Sequence, residues 1–365
     1  MLPSTKTGGT NSALYCYGVW IKHLTMLHRH AGLNTVPDTV AELGPGDSLG
    51  IGLSALLSGA SHYEALDVVP FASTDQNLEV FDELVSLFER RVPSPAAGFP
   101  NFWQYLDDDR FPHHILTDDV LAASLAPERV HRIRRLLCGA TFDDLAINYR
   151  VPWTDDALVR PRSVDLVLSH SVMEHVVDID ATYSAIVRWL RPGGLMSHQI
   201  DFTSHGLSEQ WNGYRAYPEV MWKAVLGKRP FLINRAPSSV HRAMIDRLGF
   251  DVTCYLQNYR SDGIERAKLA KSWRWLSDDD LNCAGAYVQA RAGATESIEG
   301  ADEHEVGLDR TTVGGKGDGT KWSRADTKIN EVERPSIGVE ASAREAGVSE
   351  HELDAFDRGG RRAIR

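Results

Sequence analysis

Apolar residues along this chain follow two spacings, one typical of buried strands and the other typical of amphipathic helices. Short apolar runs predict strands over residues 36–43, 63–68, 145–149, 163–169, 195–202, 250–256 and 284–290. Helix-spaced apolar positions fill most of the intervals between these runs. Strands that alternate with helices predict an α/β fold, built on a doubly wound, mostly parallel seven-stranded sheet.

The intervals between the predicted strands indicate how the chain is divided. Residues 1–35 contain a helical segment, and residues 36–291 form the sheet domain. The stretch 75–139 is too long for one crossover, so we predict a helical insertion, or lid, after strand 2. Residues 203–237 are rich in aromatic side chains and form a substrate-side segment. Residues 292–365 are polar and poor in large apolar residues, which predicts a disordered tail.

Two of the predicted helices have recognisable ends. Asp180 and Ser238 are placed to cap helix starts, because a short polar side chain can accept a hydrogen bond from a free backbone N–H. Residues 191–194, with the sequence Arg-Pro-Gly-Gly, predict the stop of the first helix and a turn into the fifth strand.

Composition narrows the function classes. The 365 residues carry a formal net charge of -11, which argues against a protein that binds nucleic acid over a broad face. The four cysteines are far apart in sequence, so we expect reduced thiols and no cysteine metal site. A metal at His198, Asp201 and His205 is an alternative, because such ligands suit several divalent ions, but we predict none. The sequence has neither an apolar leader nor an apolar run of bilayer length, and we expect a cytoplasmic protein without a membrane span.

The most informative stretch is the turn after the first strand, which contains Glu42, Gly44 and Gly46. The glycines permit a sharp turn and the close approach of a ligand, and the following helix presents free N–H groups and a positive end. Glu42 would repel the pyrophosphate of a dinucleotide but attract the ammonium of a methionine moiety. Asp67, about twenty residues further on, is placed to accept hydrogen bonds from both ribose hydroxyls. This pattern favours S-adenosylmethionine as the ligand.

Six segments occur in an order that resembles the class I S-adenosylmethionine-dependent methyltransferases, namely residues 42–46, 65–67, 151–155, 163–169, 172–176 and 190–194. The Glu-His-Val run and the Pro-Gly-Gly helix stop are typical of the methyltransferase-11-like branch. The resemblance implies a Rossmann-like fold, S-adenosyl-L-methionine as the cofactor and methyl transfer as the reaction. Ser48 stands where many members carry a third glycine, and the third strand lacks the frequent Asp-Ala pair.

The resemblance also implies where the cofactor binds. The implied cofactor-binding residues are Glu42, Gly44, Gly46, Asp67, Asn148, Tyr149, Ser169 and His170. The first three would line the methionine end, and Asp67 would bind the ribose. Asn148 or Tyr149 would border the adenine, and the residues after the fourth strand would lie beneath the sulfonium. In the family the Glu-His pair of residues 174–175 is largely architectural and closes the floor of the site.

Methyl transfer requires that the acceptor atom be aligned with the methyl group, and an alcohol acceptor also needs a base. The candidate bases are His205, Asp201 and His198, at the carboxyl end of the fifth strand, where ligands bind in open α/β sheets. This spacing resembles methyltransferases encoded beside surface-polysaccharide genes. Each histidine is explained equally well as a hydrogen-bonded structural residue.

Aromatic and hydrogen-bonding residues follow the fifth strand and suit a polar ring such as a sugar, or a flat aromatic acceptor. The candidate substrate-binding residues are Trp211, Tyr214, Arg215 and Arg235. Neighbouring aromatics such as Tyr217 and Trp222 are explained equally well as core residues. The leading prediction is O-methylation of a small molecule or of a glycan sugar hydroxyl. An NAD(P)-dependent oxidoreductase and a non-catalytic Rossmann-like binding protein stay as alternatives, and the oligomeric state is open.

Overall fold

The computed structural model describes residues 9–95, 105–106, 109–153, 156–227 and 229–293. The strands are β1 (Thr39–Leu43), β2 (His62–Leu66), β3 (Ala146–Arg150), β4 (Val164–His170), β5 (Leu190–Asp201), β6 (Asp251–Tyr259) and β7 (Cys283–Arg291). They form one sheet in the order β3-β2-β1-β4-β5-β7-β6. Strand β7 runs antiparallel to β5 and β6, whereas the other neighbouring pairs are parallel. The predicted mostly parallel, seven-stranded α/β sheet is confirmed.

Helices cover both faces of this sheet. They are α1 (Ala13–Ala31), α2 (Gly50–Leu57), α3 (Thr74–Glu89), α4 (Asp118–Ser124), α5 (Pro127–Leu137), α6 (Ile179–Trp189), α7 (Glu219–Leu226), α8 (Ser238–Arg247) and α9 (Asp278–Asn282). Helix α1 is capped by Ser12, whose side chain accepts from the N–H of Tyr15, and it ends at Gly32 with a left-handed φ of +68°. Both ends follow from local sequence.

Two large apolar cores lie on opposite faces of the sheet. The first joins α1, α2 and α3 to residues such as Val40 of β1, and the second joins α6 and α8 to residues such as Ala41. These two neighbours lie on opposite faces because successive side chains of a strand alternate. The same alternation decides which side chains of β4 and β5 face each helix layer.

The predicted helical insertion after β2 contains α3, α4 and α5. Leu84 of α3 and Ile133 of α5 belong to the same core as Trp20 of α1. The insertion therefore forms part of the helix layer that covers this face. Residues 96–104 of the predicted insertion, and the predicted disordered tail from residue 294 onward, lie outside the described residues.

The strand order places a crevice at the carboxyl ends of the central strands. Strand β1 pairs with β2 on one side and with β4 on the other. The chain adds β2 and β3 on one side of β1 and then returns to add β4 on the other side. The strand order therefore reverses direction between β1 and β4. The carboxyl ends of β1 and β4 therefore border the position at which open α/β sheets bind ligands.

The structure corrects three predicted helix ends. Asp178, rather than Asp180, caps α6 by accepting from the N–H of Ala181, and Ser238 is the first residue of α8 rather than its cap. Residues 191–194 lie within β5, where the pairing with β4 shifts register, because the helix already ends at Trp189. Among the described residues, the helices are too short or too polar to cross a bilayer.

Candidate functional site

Two glycines bring the turn after β1 against its neighbours. Gly44 and Gly46 have φ values of +66° and +75°, the left-handed region that favours glycine. A Cβ on Gly44 would lie 2.6 Å from a methyl carbon of Val172, in the loop after β4. The N–H of Gly46 donates to the Asp67 carboxylate at 3.1 Å. The turn is thus packed between the loop after β4 and the tip of β2.

Asp67 directly follows β2 and is 5% exposed. Its Oδ1 accepts from the N–H groups of Val68 at 2.7 Å and Val69 at 3.4 Å, and its Oδ2 accepts from that of Gly46 at 3.1 Å. Burial raises the pKa of this carboxyl, and the backbone donors oppose the increase. Because a carboxylate offers about four lone-pair sites, the group keeps capacity for further hydroxyl donors, chiefly at Oδ2, which accepts a single N–H. Ribose binding by Asp67 stays a prediction.

Glu42 lies on β1 beneath the turn and is 1% exposed. Its Oε2 accepts a hydrogen bond from the hydroxyl of Tyr63 at 2.5 Å. Burial raises the pKa of Glu42 to about 8 against the lowering effect of Tyr63, and Asp67 adds to the increase. The carboxyl is therefore mostly protonated at neutral pH in the free protein. This corrects the sequence-based expectation of a fixed negative charge, because that expectation took no account of burial.

The segment before α1 lies on the glycine turn, and this contact was not predicted. The N–H of Asp47 donates to the Thr10 hydroxyl at 2.9 Å, and the hydroxyl of Ser48 donates to the Thr10 carbonyl. The same carbonyl accepts from the Cys16 thiol at 3.4 Å. Ser48 therefore anchors the N-terminal segment to the turn.

The two adenine candidates on β3 point to opposite faces. The side-chain amide of Asn148 donates to Glu64 Oε1 at 2.7 Å, so of the two candidates Asn148 already has a partner on β2. Tyr149 lies on the other face, and its pKa is raised by burial and then by nearby Asp67. The N–H of Trp153 donates to the Asp67 carbonyl at 2.9 Å. Tyr149 and the loop at Trp153 therefore flank Asp67.

Ser169 and His198 form a buried pair on adjacent strands. Ser169 Oγ lies 2.8 Å from His198 Nδ1, and both residues are fully buried. The His198 ring contacts Tyr183 of α6, and burial, with a contribution from His241, lowers the pKa of His198 to about 3. His198 is therefore a structural residue under α6, not a candidate base. The same packing removes Ser169 from the predicted position beneath the sulfonium.

His170, the last residue of β4, faces α1. Its Nδ1 lies 3.3 Å from His23 Nε2, and its ring contacts Tyr15 edge-on with centroids 6.2 Å apart. Burial, with contributions from His23 and Lys22, holds the pKa of His170 well below its usual range. His170 is thus a neutral wall of the crevice on the α1 side.

The carboxyl ends of β4 and β5 bring four titratable residues together. His205 Nε2 lies 3.5 Å from Asp201 Oδ2 and 3.8 Å from Glu174 Oε1, and the ring of His175 packs against that of His205 with centroids 5.0 Å apart. The His205 side chain is 26% exposed, whereas Glu174 is buried. His205 has a φ of +48°, a strained conformation that is concentrated at functional sites in proteins. Of the three predicted bases, the structure brings His205 and Asp201 together.

Glu174 and His175 were predicted as architectural, yet they lie within this cluster. Burial, and then Asp201, holds the pKa of Glu174 well above its usual range. Burial lowers the pKa of His175 to about 3, and His205 adds to the decrease. One ligand atom from each of Glu174, His175 and His205 lies within 4.8 Å of the others, a spacing that a divalent cation can occupy.

The substrate-side segment packs into a small core of its own. Tyr214 and Trp222 are buried with Ile233. Arg215 and Arg235 are also buried, and both guanidinium groups lie against the Trp273 ring, at 5.5 Å and 5.0 Å from its centroid.

The fourth substrate candidate packs elsewhere. The Trp211 ring lies under the guanidinium of Arg260, 5.6 Å from its carbon. Three of the four predicted substrate residues, Tyr214, Arg215 and Arg235, are therefore brought together.

Residues 109–197 match the methyltransferase domain family, a stretch that contains β3, β4 and α6 and begins after the glycine turn. No curated protein matches the sequence. The domain match supports an S-adenosylmethionine-dependent methyltransferase and S-adenosylmethionine as the cofactor.

Three solved structures are similar to the chain at low identity. An S-adenosylmethionine-dependent methyltransferase from Mesorhizobium loti has 13% identity, coverage of 74% of this chain and 97% of that chain, and a TM-score of 0.37. Phosphoethanolamine N-methyltransferase 2 from Haemonchus contortus has 15% identity, coverage of 77% and 57%, and a TM-score of 0.37. Geranyl diphosphate C-methyltransferase from Streptomyces coelicolor has 11% identity, coverage of 74% and 77%, and a TM-score of 0.38.

Proposed function

We propose that this protein is an S-adenosylmethionine-dependent O-methyltransferase that methylates a hydroxyl of a small molecule or of a glycan sugar. The observation that carries the proposal is the His205–Asp201 pair at the carboxyl end of β5. This pair lies at the edge of the sheet that also holds the glycine turn and Asp67. The methyltransferase-domain match over residues 109–197 supports the reaction class.

The described residues fit the cofactor. When bound, S-adenosylmethionine supplies an electrophilic methyl group on a sulfonium. Asp67 would accept from the ribose hydroxyls, since its carboxylate is fixed by backbone N–H groups and keeps free lone pairs. The Gly44–Gly46 turn would border the methionine end. Glu42 would meet the ammonium group once its own proton leaves.

His205 is the group that would remove the acceptor proton. A hydrogen on His205 Nε2, directed at Asp201, leaves Nδ1 with a free lone pair. Methyl transfer would form the oxygen–carbon bond and break the sulfur–carbon bond of the cofactor, leaving S-adenosylhomocysteine, and the hydroxyl proton of the acceptor would pass to His205 Nδ1. The Asp201 carboxylate stabilises the resulting imidazolium, as a carboxylate does for a histidine base in other enzymes. His205 is partly exposed, so it can return the proton to solvent afterwards.

Calorimetric titration with S-adenosylhomocysteine and with NADH tests the cofactor class. We expect micromolar binding of S-adenosylhomocysteine alone. Binding of NADH alone would favour an oxidoreductase, and binding of neither would favour a non-catalytic protein.

The Asp67→Ala variant tests the site. It should weaken binding of S-adenosylhomocysteine by about 1–3 kcal/mol, the usual loss of hydrogen bonds to a charged group. Asp75→Ala, on the exposed start of α3, is the matched control and should bind as the wild type does. Unchanged affinity in Asp67→Ala would remove Asp67 from the site.

A further inference from the structure

Arg215 is a buried cation whose hydrogen-bond donors are mostly unused. The residue is 1% exposed. Its Nε donates to the Tyr214 hydroxyl at 3.2 Å, but neither Nη1 nor Nη2 has a hydrogen-bond partner among the described residues. A guanidinium carries five N–H donors in a fixed fork, four of them on the two terminal nitrogens. Leaving such donors buried and unpaired destabilises a protein, so the arrangement indicates a ligand.

Arg235 extends the same group of donors. It is 4% exposed; Nη1 donates to the Tyr217 carbonyl at 3.0 Å and Nη2 donates to Glu219. Its Nε has no hydrogen-bond partner among the described residues, and neither has the indole N–H of Trp273. Since both guanidinium groups lie against the Trp273 ring, these unused donors belong to one neighbourhood.

The local charge is positive. Glu219 pairs with Arg235, but its side chain is 58% exposed, and the described residues supply no ion pair for Arg215. Burial lowers the pKa of Arg235; Glu219 opposes the decrease, and the charge of Arg215 adds to it. The contribution of Arg215 shows that the two guanidinium groups repel each other, and an anion placed between them would relieve this repulsion.

The two arginines are linked by hydrogen bonds to the cluster of Asp201, Glu174, His175 and His205. The Tyr214 hydroxyl donates to the carbonyl of Phe202, the residue after Asp201, at 2.9 Å. On the other side, the N–H of Asn234 donates to the Glu174 carbonyl at 2.6 Å. Arg235 follows with a left-handed φ of +65°, which a non-glycine residue rarely adopts without a local constraint.

We propose that Arg215 and Arg235 form an oxyanion-binding subsite, which holds a carboxylate or phosphate group of the methyl acceptor. The inference rests on the proposed function, because it names the class of acceptor for that site. The fork of Arg215 can bind two oxygens of such a group side by side. The Arg235 guanidinium lies over the Trp222 and Trp273 rings, which hold it in place. The acceptor is thus an anionic molecule whose hydroxyl reaches His205 while its acid group is held by the arginines.

Titration of the protein saturated with S-adenosylhomocysteine tests the subsite, with inorganic phosphate and benzoate as probes at constant ionic strength. We expect saturable binding of at least one probe in the wild type. Arg215→Gln should bind it at least about tenfold more weakly, because the paired charge-assisted hydrogen bonds are lost. Arg242 is an exposed arginine on α8. The control variant Arg242→Gln removes the same charge there and should bind the probe as the wild type does. Arg235→Gln should show a smaller loss than Arg215→Gln, since Arg235 is already paired.

Three results would overturn the subsite. The first is a wild type that binds neither probe, which decides the matter even where Arg215→Gln fails to fold. The second is an equal affinity in the wild type and Arg215→Gln. The third is competition of phosphate with S-adenosylhomocysteine, together with weaker binding of the latter to Arg215→Gln, since the arginines would then hold the cofactor's own carboxylate. A wild type that does not bind S-adenosylhomocysteine would instead refute the proposed function.

Discussion

We expect Glu42 to couple cofactor binding to proton release. The free protein holds this carboxyl protonated at neutral pH, because burial raises its pKa to about 8. A methionine ammonium placed beside it favours the charged form, so the pKa falls when the cofactor binds. We therefore expect binding to release a proton. At pH 7, one unit below the free pKa, this release costs about 1.4 kcal/mol of binding free energy, which is a factor of about ten in affinity.

The expected result is an affinity for S-adenosylhomocysteine that rises about tenfold per pH unit from about pH 6 to about pH 7.5. The upper limit keeps the amino group of the ligand mostly protonated, since such groups titrate near pH 8. Calorimetry in buffers of different ionisation enthalpy should also detect nearly one proton released per ligand at pH 7.

Glu42→Gln is the control, because it keeps the hydrogen bond with Tyr63 and cannot titrate. Its affinity should be nearly independent of pH across the same range. The sign follows from the raised pKa: the proton is present below about pH 8 and opposes the cation there. Parallel pH profiles for the wild type and Glu42→Gln would refute the coupling, and would place the ammonium away from Glu42.

Three further predictions concern the glycine turn and the cluster around His205. Gly44→Ala should lower the free energy of unfolding, measured in urea, by about 3 kcal/mol, because the new Cβ clashes with Val172 and the φ is strained. The control Gly32→Ala, with φ of +68° and open space around it, should lower it by only about 1 kcal/mol. Equal losses in the two variants would show that the contact with Val172 does not matter. His205→Ala should reduce kcat at least about 100-fold while the affinity for S-adenosylhomocysteine stays unchanged, and an unchanged kcat would rule out His205 as the base. Chelation with EDTA should leave kcat unchanged if His205 acts as a free base; a loss restored by added magnesium or manganese would show instead that Glu174, His175 and His205 hold a cation.

The sheet could be predicted from the sequence because the residues that define each strand are neighbours in the sequence. Each buried strand is a short apolar run between turn residues, and Gly44 and Gly46 announce a sharp turn by their composition alone. Gly32 likewise marks the end of α1. Helix caps were less secure, because Asp178 and Asp180 are chemically identical and only the backbone decides which of them caps α6.

The directions of side chains explain the errors at the site. His198 and Asp201 are three positions apart on one strand, so strand alternation places them on opposite faces of the sheet. This alternation can be read from the sequence, and it would have placed His198 on the face opposite to Asp201. The protonation of Glu42 had no such signal, because it depends on the depth of burial beneath the turn.

Long-range contacts supplied the rest of the site. Glu174 and His205 lie on different loops, and their 3.8 Å approach depends on how the ends of β4 and β5 are arranged. The shared contact of Arg215 and Arg235 with Trp273 likewise joins three separate segments. Spacing in the sequence carries no information on such encounters.

A crystal structure of the protein with S-adenosylhomocysteine tests the cofactor site most directly. We expect both ribose hydroxyls to bond to the Asp67 carboxylate and the amino-acid end to lie on the Gly44–Gly46 turn, with the sulfur of the ligand facing His205 and Asp201. Electron density for the ligand at any other place in the fold would refute this site.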